Sequence, residues 1–434
     1  MRRRSNAFLA VATALTLTLC AQAARAEGEQ PEATPPAVPE SEAGRPAGAE
    51  STVPPDGTPL LAFPPAGPEG SLLRVTPIGY LEAHYAWNFN RPANNITNYR
   101  GYENRHNSFT LANAALGALW DIGPVSGKLL LQVGNTPSTY YNQEPNLPGA
   151  GAANATGPEL WKYLQEAYVT YKAPLGTGLK VSAGLMATPI GLEKIAVKDN
   201  WNWSRSNLFF GLPKYHAGVR AAYDITERLT ATVSVVNGWN SVVDNNDGKS
   251  VEGHVTYRIP DRAVLKLLYF GGVERASNAP EGQYWRHHFD ATGEVDVTSW
   301  LQVAAQADYG FEQNRIGDAR WFAGAAAARV KPCNWLFVAV RGDRFYEHLA
   351  TDANGRRSTP LFWNGVEWVS SATATLDVRP HSNVSFRLEF RHDQADGLLY
   401  YTGDTLVGDG SVGKPFVTNA RRQQTLLIGA TAWF

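Results

Sequence analysis

The sequence predicts an all-β protein, a transmembrane antiparallel up-and-down β-barrel in which short periplasmic turns alternate with long extracellular loops. Residues 161–240 contain four segments with apolar and polar residues in alternation, as in the apolar set Leu229, Ala231, Val233 and Val235. Period two is typical of a strand with one apolar face and one wetted face. Short and long connections alternate along the whole chain, and this rhythm is typical of outer-membrane barrels. After residue 26 no apolar run reaches about 18 residues, the length that a membrane-spanning helix needs.

We predict sixteen strands, with fourteen or eighteen as alternatives. They lie at residues 74–88, 107–120, 125–135, 161–172, 178–186, 214–224, 228–238, 250–259, 263–272, 285–296, 299–310, 320–331, 334–344, 368–379, 382–393 and 423–434. The long insertions between them are residues 89–106, 136–160, 187–213, 239–249, 273–284, 311–319, 345–367 and 394–422. An even number of strands places both ends of the barrel in the periplasm, so the long insertions are expected to face outward from the cell.

Two segments precede the barrel, which we assign to residues 71–434. Residues 1–26 have a basic start, an apolar stretch and the sequence Ala-Arg-Ala at the end, which is the pattern of a secretory signal peptide. Residues 27–70 are rich in Pro, Ala and Glu without a periodic apolar face. Such a composition buries too little apolar surface to offset its conformational entropy, so we expect a disordered periplasmic linker. The sequence leaves the role of this linker open.

Polar side chains of the strands are expected to face the lumen. In the segment 382–393, Phe386 and Leu388 alternate with charged residues, and a charge on the lipid face costs about 2–4 kcal/mol near the bilayer midplane. The predicted lumen-lining residues are Glu82, Glu166, Arg220, Lys266, Asp308, Arg387, Glu389 and Arg391. Acidic and basic lumen residues are close to balance over all strands, and this balance predicts weak ion selectivity.

Several stretches carry a family resemblance. They read GYLEAHYAWNFNRP, HNSFTLANAAL, KYLQEAYVTYKAP, TPIGLEKIAVKDNWNWSRS and YHAGVRAAYDITERLTATVSVVNGWNSVVDNN, between about Ile78 and Asn246. Together they resemble the β-barrel porins of the OmpL-like group. The resemblance implies an outer-membrane barrel in a Gram-negative bacterium and a porin function, and it indicates the fold more directly than the solute.

The insertion 187–213 is the third extracellular loop of the predicted barrel, and it resembles the loop that folds inward and narrows the pore in general porins. It mixes charges of both signs with aromatic residues, and opposed charges at a constriction select polar solutes by size. The candidate constriction residues are Glu193, Lys194, Lys198, Asp199, Trp201, Trp203 and Arg205. Two alternatives stay open: the loop packs over the rim only, or Trp201 and Trp203 stack sugar rings.

The last strand ends with Phe434, preceded on the same face by Leu426, Ile428, Ala430 and Ala432. This pattern resembles the C-terminal signal by which bacterial outer-membrane barrels are recognised for insertion. We therefore expect Phe434 to be read by the barrel-assembly machinery.

These observations predict an outer-membrane porin that lets small hydrophilic solutes and ions diffuse passively through a water-filled lumen. The alternative is a structural or adhesive outer-membrane barrel whose lumen is blocked. No nucleophile motif, zinc pattern or basic nucleic-acid patch is present, so we expect no enzyme, no cofactor, no metal and no nucleic-acid partner. Expected partners are membrane lipid, lipopolysaccharide and the solutes. The sequence leaves open the oligomeric state, a homotrimer included, and the natural solute.

Overall fold

The computed structural model describes residues 61–63, 72–149, 151–404 and 407–434. In this part of the chain, sixteen antiparallel strands pair in chain order, and the first also pairs with the last, which closes a barrel. The predicted signal peptide, residues 1–26, lies outside the described residues. The predicted linker, residues 27–70, also lies outside them apart from Leu61–Phe63, which form a short strand on the first barrel strand.

The predicted sixteen strands are confirmed, most within a few residues of the expected ends. The first eight are β1 Leu73–Asn88, β2 Ser108–Ile122, β3 Val125–Val133, β4 Leu164–Ala173, β5 Leu179–Ala187, β6 Tyr215–Asp224, β7 Leu229–Val236 and β8 Ser250–Ile259. The second eight are β9 Ala263–Val273, β10 Trp285–Asp296, β11 Leu301–Asn314, β12 Gly317–Cys333, β13 Leu336–His348, β14 Trp368–His381, β15 Val384–Ala395 and β16 Arg422–Trp433.

The two ends of the barrel differ, as predicted. One end, here called the turn end, carries the start of β1, the end of β16 and the short connections, such as residues 123–124 and 334–335. The opposite end, here called the loop end, carries the long connections. Helices Thr136–Tyr140, Pro158–Trp161 and Asn207–Phe210, the 3-10 turn Val197–Asp199 and the hairpin of Leu147–Gly149 with Gly151–Thr156 lie in them.

The prediction of a long insertion at residues 311–319 is wrong. Strands β11 and β12 continue through most of it and meet at the two residues 315–316. The segment is polar, and this made it resemble a loop. It lies at the loop end, where Glu312 points inward and binds Arg286 with a nitrogen–oxygen distance of 2.9 Å. A strand that extends beyond the lipid no longer needs an apolar outer residue at alternate positions, so the sequence pattern is lost although the strand continues.

The strands have one apolar face and one polar face because side chains alternate across a β-strand. In β15, Leu388 and Phe390 face outward and are exposed, whereas Arg387, Glu389 and Arg391 face the interior and are buried. Register pairs Arg387 with Asp377 and Glu389 with Thr375 of β14, so polar residues meet polar residues inside the barrel. Among the described residues, no helix is long and apolar enough to cross a membrane.

Candidate functional site

Residues 188–214, here called the inward loop, connect β5 and β6 and lie inside the barrel. They agree with the predicted third loop within one residue at each end. The loop contains the 3-10 turn Val197–Asp199 and the helix Asn207–Phe210, in which the Phe209 N–H donates to the Ser206 hydroxyl. Most of its residues from 196 to 214 are buried. Its contacts run along the wall from β9 to β16 and on to β1.

Glu389 of β15 holds the centre of the inward loop by its backbone. Its carboxylate accepts hydrogen bonds from the N–H groups of Trp203 at 2.6 Å and Ser204 at 2.9 Å. It also accepts the hydroxyl of Thr375 at 2.7 Å. Hydrogen bonds to a charged acceptor are stronger than those between neutral groups, so one lumenal carboxylate fixes two successive peptide groups.

Arginines of β13 and β15 bind the carbonyl side of the same segment. Arg341 donates to the Ser204 carbonyl at 2.7 Å and forms an ion pair with Glu193 of the loop at 2.5 Å. Arg387 donates to the Asn202 carbonyl at 3.1 Å, and Arg391 donates to the carbonyl of Arg205. Each of these three arginines therefore binds the loop backbone inside the barrel.

Further anchors lie on both sides of this segment. The Glu82 carboxylate of β1 accepts the Val197 N–H at 2.6 Å. On the other side, Lys266 of β9 donates to the Gly191 carbonyl at 3.3 Å, and Gln306 of β11 accepts the Leu192 N–H at 3.1 Å. The inward loop is thus tied to opposite parts of the wall.

Apolar packing supports the polar anchors. The described residues form five buried apolar clusters, and each contains a residue of the inward loop: Leu208, Phe209, Leu212, Trp203 and Ala196, respectively. The Trp203 ring packs against the backbone of Gly429 in β16 and beside His84, with ring centroids 5.7 Å apart. The loop is therefore an integral part of the barrel interior.

The candidate constriction residues divide into two groups. Glu193, Trp203 and Arg205 serve the loop itself: Glu193 accepts the Ser206 N–H at 2.8 Å, Trp203 is buried, and Arg205 donates to the Lys194 carbonyl at 3.1 Å. Lys194 and Asp199 are exposed in the lumen. Lys198 and Trp201 are half-buried, and Lys198 forms an ion pair with Asp199 at 2.8 Å.

A cavity of about 60 Å³ separates the inward loop from the wall of β10 to β13. Asp199 and Trp201 line it from the loop, and Glu294 and Arg341 line it from the wall. The wall here is formed by Ala304, Ala325 and Ala327, whose short side chains leave this space.

The candidate lumen residues all lie on inward faces, and most contact the inward loop. The Asp308 carboxylate lies 3.5 Å from Nε2 of His288, and it accepts a hydrogen bond from the side-chain amide of Gln306 at 2.9 Å. Glu166 pairs with Lys128 at 2.6 Å, and Arg220 donates to the Ser234 hydroxyl at 3.3 Å. Glu166 and Arg220 also reach Ala187, where β5 ends, so they lie near the base of the loop.

Sequence reasoning missed Lys214, the last residue of the inward loop. Its ammonium group is buried and donates to the carbonyls of Phe209, Phe210 and Leu212, at 3.1, 3.3 and 2.6 Å. Burial lowers the pKa of Lys214 to about 7. The sequence carried no signal for this contact, because a lysine next to a strand is commonly a solvated residue.

The closed barrel, its apolar outer face and the loop inside its polar lumen define a class, the outer-membrane β-barrels of porin type. The sequence matches the model of the family described as "Putative beta-barrel porin-2, OmpL-like" over residues 74–434, and the chain belongs to this family. The resemblance seen in the sequence is confirmed. A search among curated proteins finds no match to the sequence.

Solved structures share the fold at low sequence identity. The outer membrane channel DcaP of Acinetobacter baumannii has a TM-score of 0.54 at 11% identity, over 86% of this chain and 100% of that one. The trimer form of OmpT of Vibrio cholerae has a TM-score of 0.53 at 11% identity, over 83% and 99%. The anion-selective porin from Comamonas acidovorans has a TM-score of 0.50 at 10% identity, over 83% and 100%. These likenesses show the fold of an outer-membrane porin.

Proposed function

We propose that the protein lets small hydrophilic solutes diffuse passively through its lumen, which the inward loop narrows. This proposal rests on one observation: charged side chains of the barrel wall bind the backbone of the inward loop within the lumen. Glu389 and Arg341 bind the middle of the loop. Because the loop is fixed in this way, the cross-section of the pore stays constant while solutes pass. The exposed Lys194 and Asp199 and the half-buried Lys198 and Trp201 are the residues that passing solutes meet.

Weak ion selectivity is part of the proposal. Many lumenal charges are paired with an opposite charge, for example Lys128 with Glu166 at 2.6 Å and Lys180 with Asp224 at 3.5 Å. Paired charges leave little net field along the pore, so cations and anions are expected to pass at similar rates.

Single-channel conductance of the folded barrel in a planar bilayer tests the function. Wild type is expected to give discrete, stable current steps with weak ion selectivity. The double variant Glu389→Ala and Arg341→Ala removes one anion and one cation that hold the loop. We expect larger and noisier steps from it, because the loop is released from the wall.

The matched control is Lys180→Ala with Asp224→Ala, which also removes one cation and one anion from the lumen. This pair lies at the turn end and does not contact the inward loop. Its steps are expected to stay close to wild type. Equal changes in both double variants would contradict a constriction formed by the loop. Comparing the full mature chain with a chain that lacks residues 27–70 tests whether the predicted linker alters conductance.

The alternative function, a barrel with a blocked lumen, is favoured by one observation. Near the middle of the wall, inward side chains such as His288, Asp308, Glu389 and Arg391 are buried by the loop and its neighbours. A folded barrel that never conducts would support this alternative and remove the porin proposal.

We also propose that the barrel acts in the outer membrane after export by the predicted signal peptide, in contact with lipopolysaccharide. A homotrimer is the assembly we propose for it, and the support is that OmpT, which shares its fold, has a trimer form. Cross-linking of the barrel in native membranes would give trimer bands if this assembly is correct and monomer bands only if it is wrong.

A further inference from the structure

Three arginines form a cluster on the lumen wall near the turn end of the barrel. Arg329 of β12, Arg379 of β14 and Arg387 of β15 lie on inward faces of neighbouring strands, and Arg329 lies over the Trp201 ring of the inward loop. The side chain of Phe337 in β13 lies between the first two. Like charges repel, so such a cluster is costly in the absence of counter-charge.

The aromatic rings fix the positions of two guanidinium groups. The central carbon of Arg329 lies 4.9 Å from the Trp201 ring centroid and 5.4 Å from that of Phe337. The central carbon of Arg379 lies 4.9 Å from the Phe337 centroid. Stacking on rings leaves the edges of the guanidinium planes, where the N–H donors are, free to bind oxygen atoms.

Carboxylate partners in this cluster are too few for its donors. One oxygen of the Asp377 carboxylate forms ion pairs with both Arg379, at 2.8 Å, and Arg387, at 3.2 Å. Its other oxygen accepts a hydrogen bond from the Ser385 hydroxyl at 2.5 Å. Among the described residues, Arg329 has no carboxylate within 4.0 Å. Its Nε and Nη2 both donate to the side-chain oxygen of Gln302, Nε at 2.7 Å, and its Nη1 has no hydrogen-bond partner among them. One terminal nitrogen of the buried Arg387 has no hydrogen-bond acceptor.

Glu294 and Asp377 act on Arg329 through their charge, but neither carboxylate forms an ion pair with it. Gln302 lies between Asp296 and Arg329. Its amide nitrogen donates to Asp296 at 2.5 Å, and its amide oxygen accepts a hydrogen bond from Arg329. Glu294 faces the cavity between wall and loop. Three guanidinium groups are therefore gathered in one place, and two of them share the carboxylate of Asp377.

The geometry points to a binding station for a small oxyanion, such as phosphate, sulfate or a carboxylate, at Arg329 and Arg379 beside Trp201 and Phe337. The station deepens the proposed pore function, on which its physiological role rests, by naming a solute class. Arg329 and Arg379 are reachable from the lumen, since Arg329 is half-buried and 21% of the Arg379 side chain is exposed. Planar guanidinium groups match the oxygens of phosphate and carboxylate, and chloride does not offer this match.

The test measures block of a steady chloride-carried current by added sulfate, inorganic phosphate or acetate. Wild type is expected to be blocked by these oxyanions, while overall ion selectivity stays weak. Arg329→Gln should weaken the block about tenfold or more, the size expected for lost charge-assisted hydrogen bonds. Arg329→Lys keeps the charge and loses the planar donors and the stacking, so its block should also be weakened.

The matched control is Arg258→Gln, which removes the same charge from a lumen arginine of β8 that donates to Thr230 at 3.3 Å. Its oxyanion block is expected to equal wild type. Equal weakening in Arg258→Gln and Arg329→Gln, or an unblocked wild type, would overturn the station and leave the porin proposal standing.

A barrel that does not conduct would remove the porin proposal, and the station is then tested by equilibrium dialysis of folded protein against labelled phosphate. Binding by wild type and Arg258→Gln with loss in Arg329→Gln supports the station. Absence of binding by wild type overturns it. Folding of each variant is checked by the mobility shift of the unheated protein in a detergent gel.

Discussion

Lys214 shows how a single residue of the interior stabilises the inward loop. Its ammonium group binds three carbonyls at the end of the helix Asn207–Phe210, in a buried site. The charged form loses its hydration there, and this loss is why burial lowers the pKa of Lys214 to about 7. The residue lies outside the spanning strands, directly before β6.

Protein stability is expected to rise with pH through this lysine. Between about pH 7 and the usual lysine pKa near 10.4, the unfolded chain holds a proton at Lys214 that the folded chain has lost. The free energy of unfolding therefore rises with pH across this window, by at most about 1.4 kcal/mol per pH unit, and does not depend on this group at lower pH.

Unfolding by urea in detergent micelles between pH 6 and pH 10, followed by tryptophan fluorescence, measures this slope. The variant Lys214→Met lacks the titrating group and should lack its share of the rise, whatever its overall stability. Lys180→Met, at an exposed lysine of β5, serves as the control and should keep the wild-type slope. Equal slopes in Lys214→Met and wild type would contradict the assignment.

At the scale of elements, the packing of the inward loop against β16 depends on a glycine. A Cβ atom at Gly429 would lie 2.4 Å from the Trp203 ring, closer than atoms in contact can approach. Trp203 is almost fully buried, with 1% of its surface exposed. The variant Gly429→Ala should therefore push the ring out of place and lower the free energy of unfolding by about 1–3 kcal/mol, the usual cost of overpacking.

The control for this variant is Gly342→Ala, at a glycine in the middle of β13 where a Cβ atom would have no neighbour within 4 Å. Its effect on unfolding should be much smaller. Single-channel recordings of Gly429→Ala should show noisier current than those of Gly342→Ala, because Trp203 of the inward loop no longer packs against β16. Similar stability and noise in the two variants would mean that the loop does not depend on this contact.

Elements differ in how far the sequence predicts them. The strands were predictable because lipid on one side and water on the other impose alternation on neighbouring residues. The anchors of the inward loop were not, because Asn207 and its partner Asp343 lie 136 positions apart and nothing local marks the pair. The predicted loop charges likewise include Glu193 and Arg205, whose partners inside the barrel decide their roles. Lys194 and Asp199, which stay exposed, are the charges whose position follows from polarity alone.

At the scale of the whole molecule, the barrel closes where its last residue meets its first strand. The N–H of Phe434 donates to the Gly79 carbonyl at 3.1 Å, and the Gly79 N–H donates to the Phe434 carbonyl at 3.2 Å. The Phe434 ring lies over Gly79, where a Cβ atom would come within 2.7 Å of it. The residue expected to act as an assembly signal therefore also forms part of the closing seam.

These two roles of Phe434 can be separated. The variant Phe434→Ala keeps the backbone hydrogen bonds of the seam, so the purified chain should still fold in detergent, as shown by its gel mobility shift. In cells, loss of the terminal aromatic ring should lower the amount of folded protein in the outer-membrane fraction severalfold, because the assembly machinery would no longer recognise the last strand. The control Phe390→Ala removes an equal ring from the outward face of β15 and should assemble normally. If both variants lower the amount of folded protein in the outer membrane equally, the role of the Phe434 ring is contact with lipid. If Phe434→Ala fails to fold in detergent, the role of the ring is to close the barrel seam.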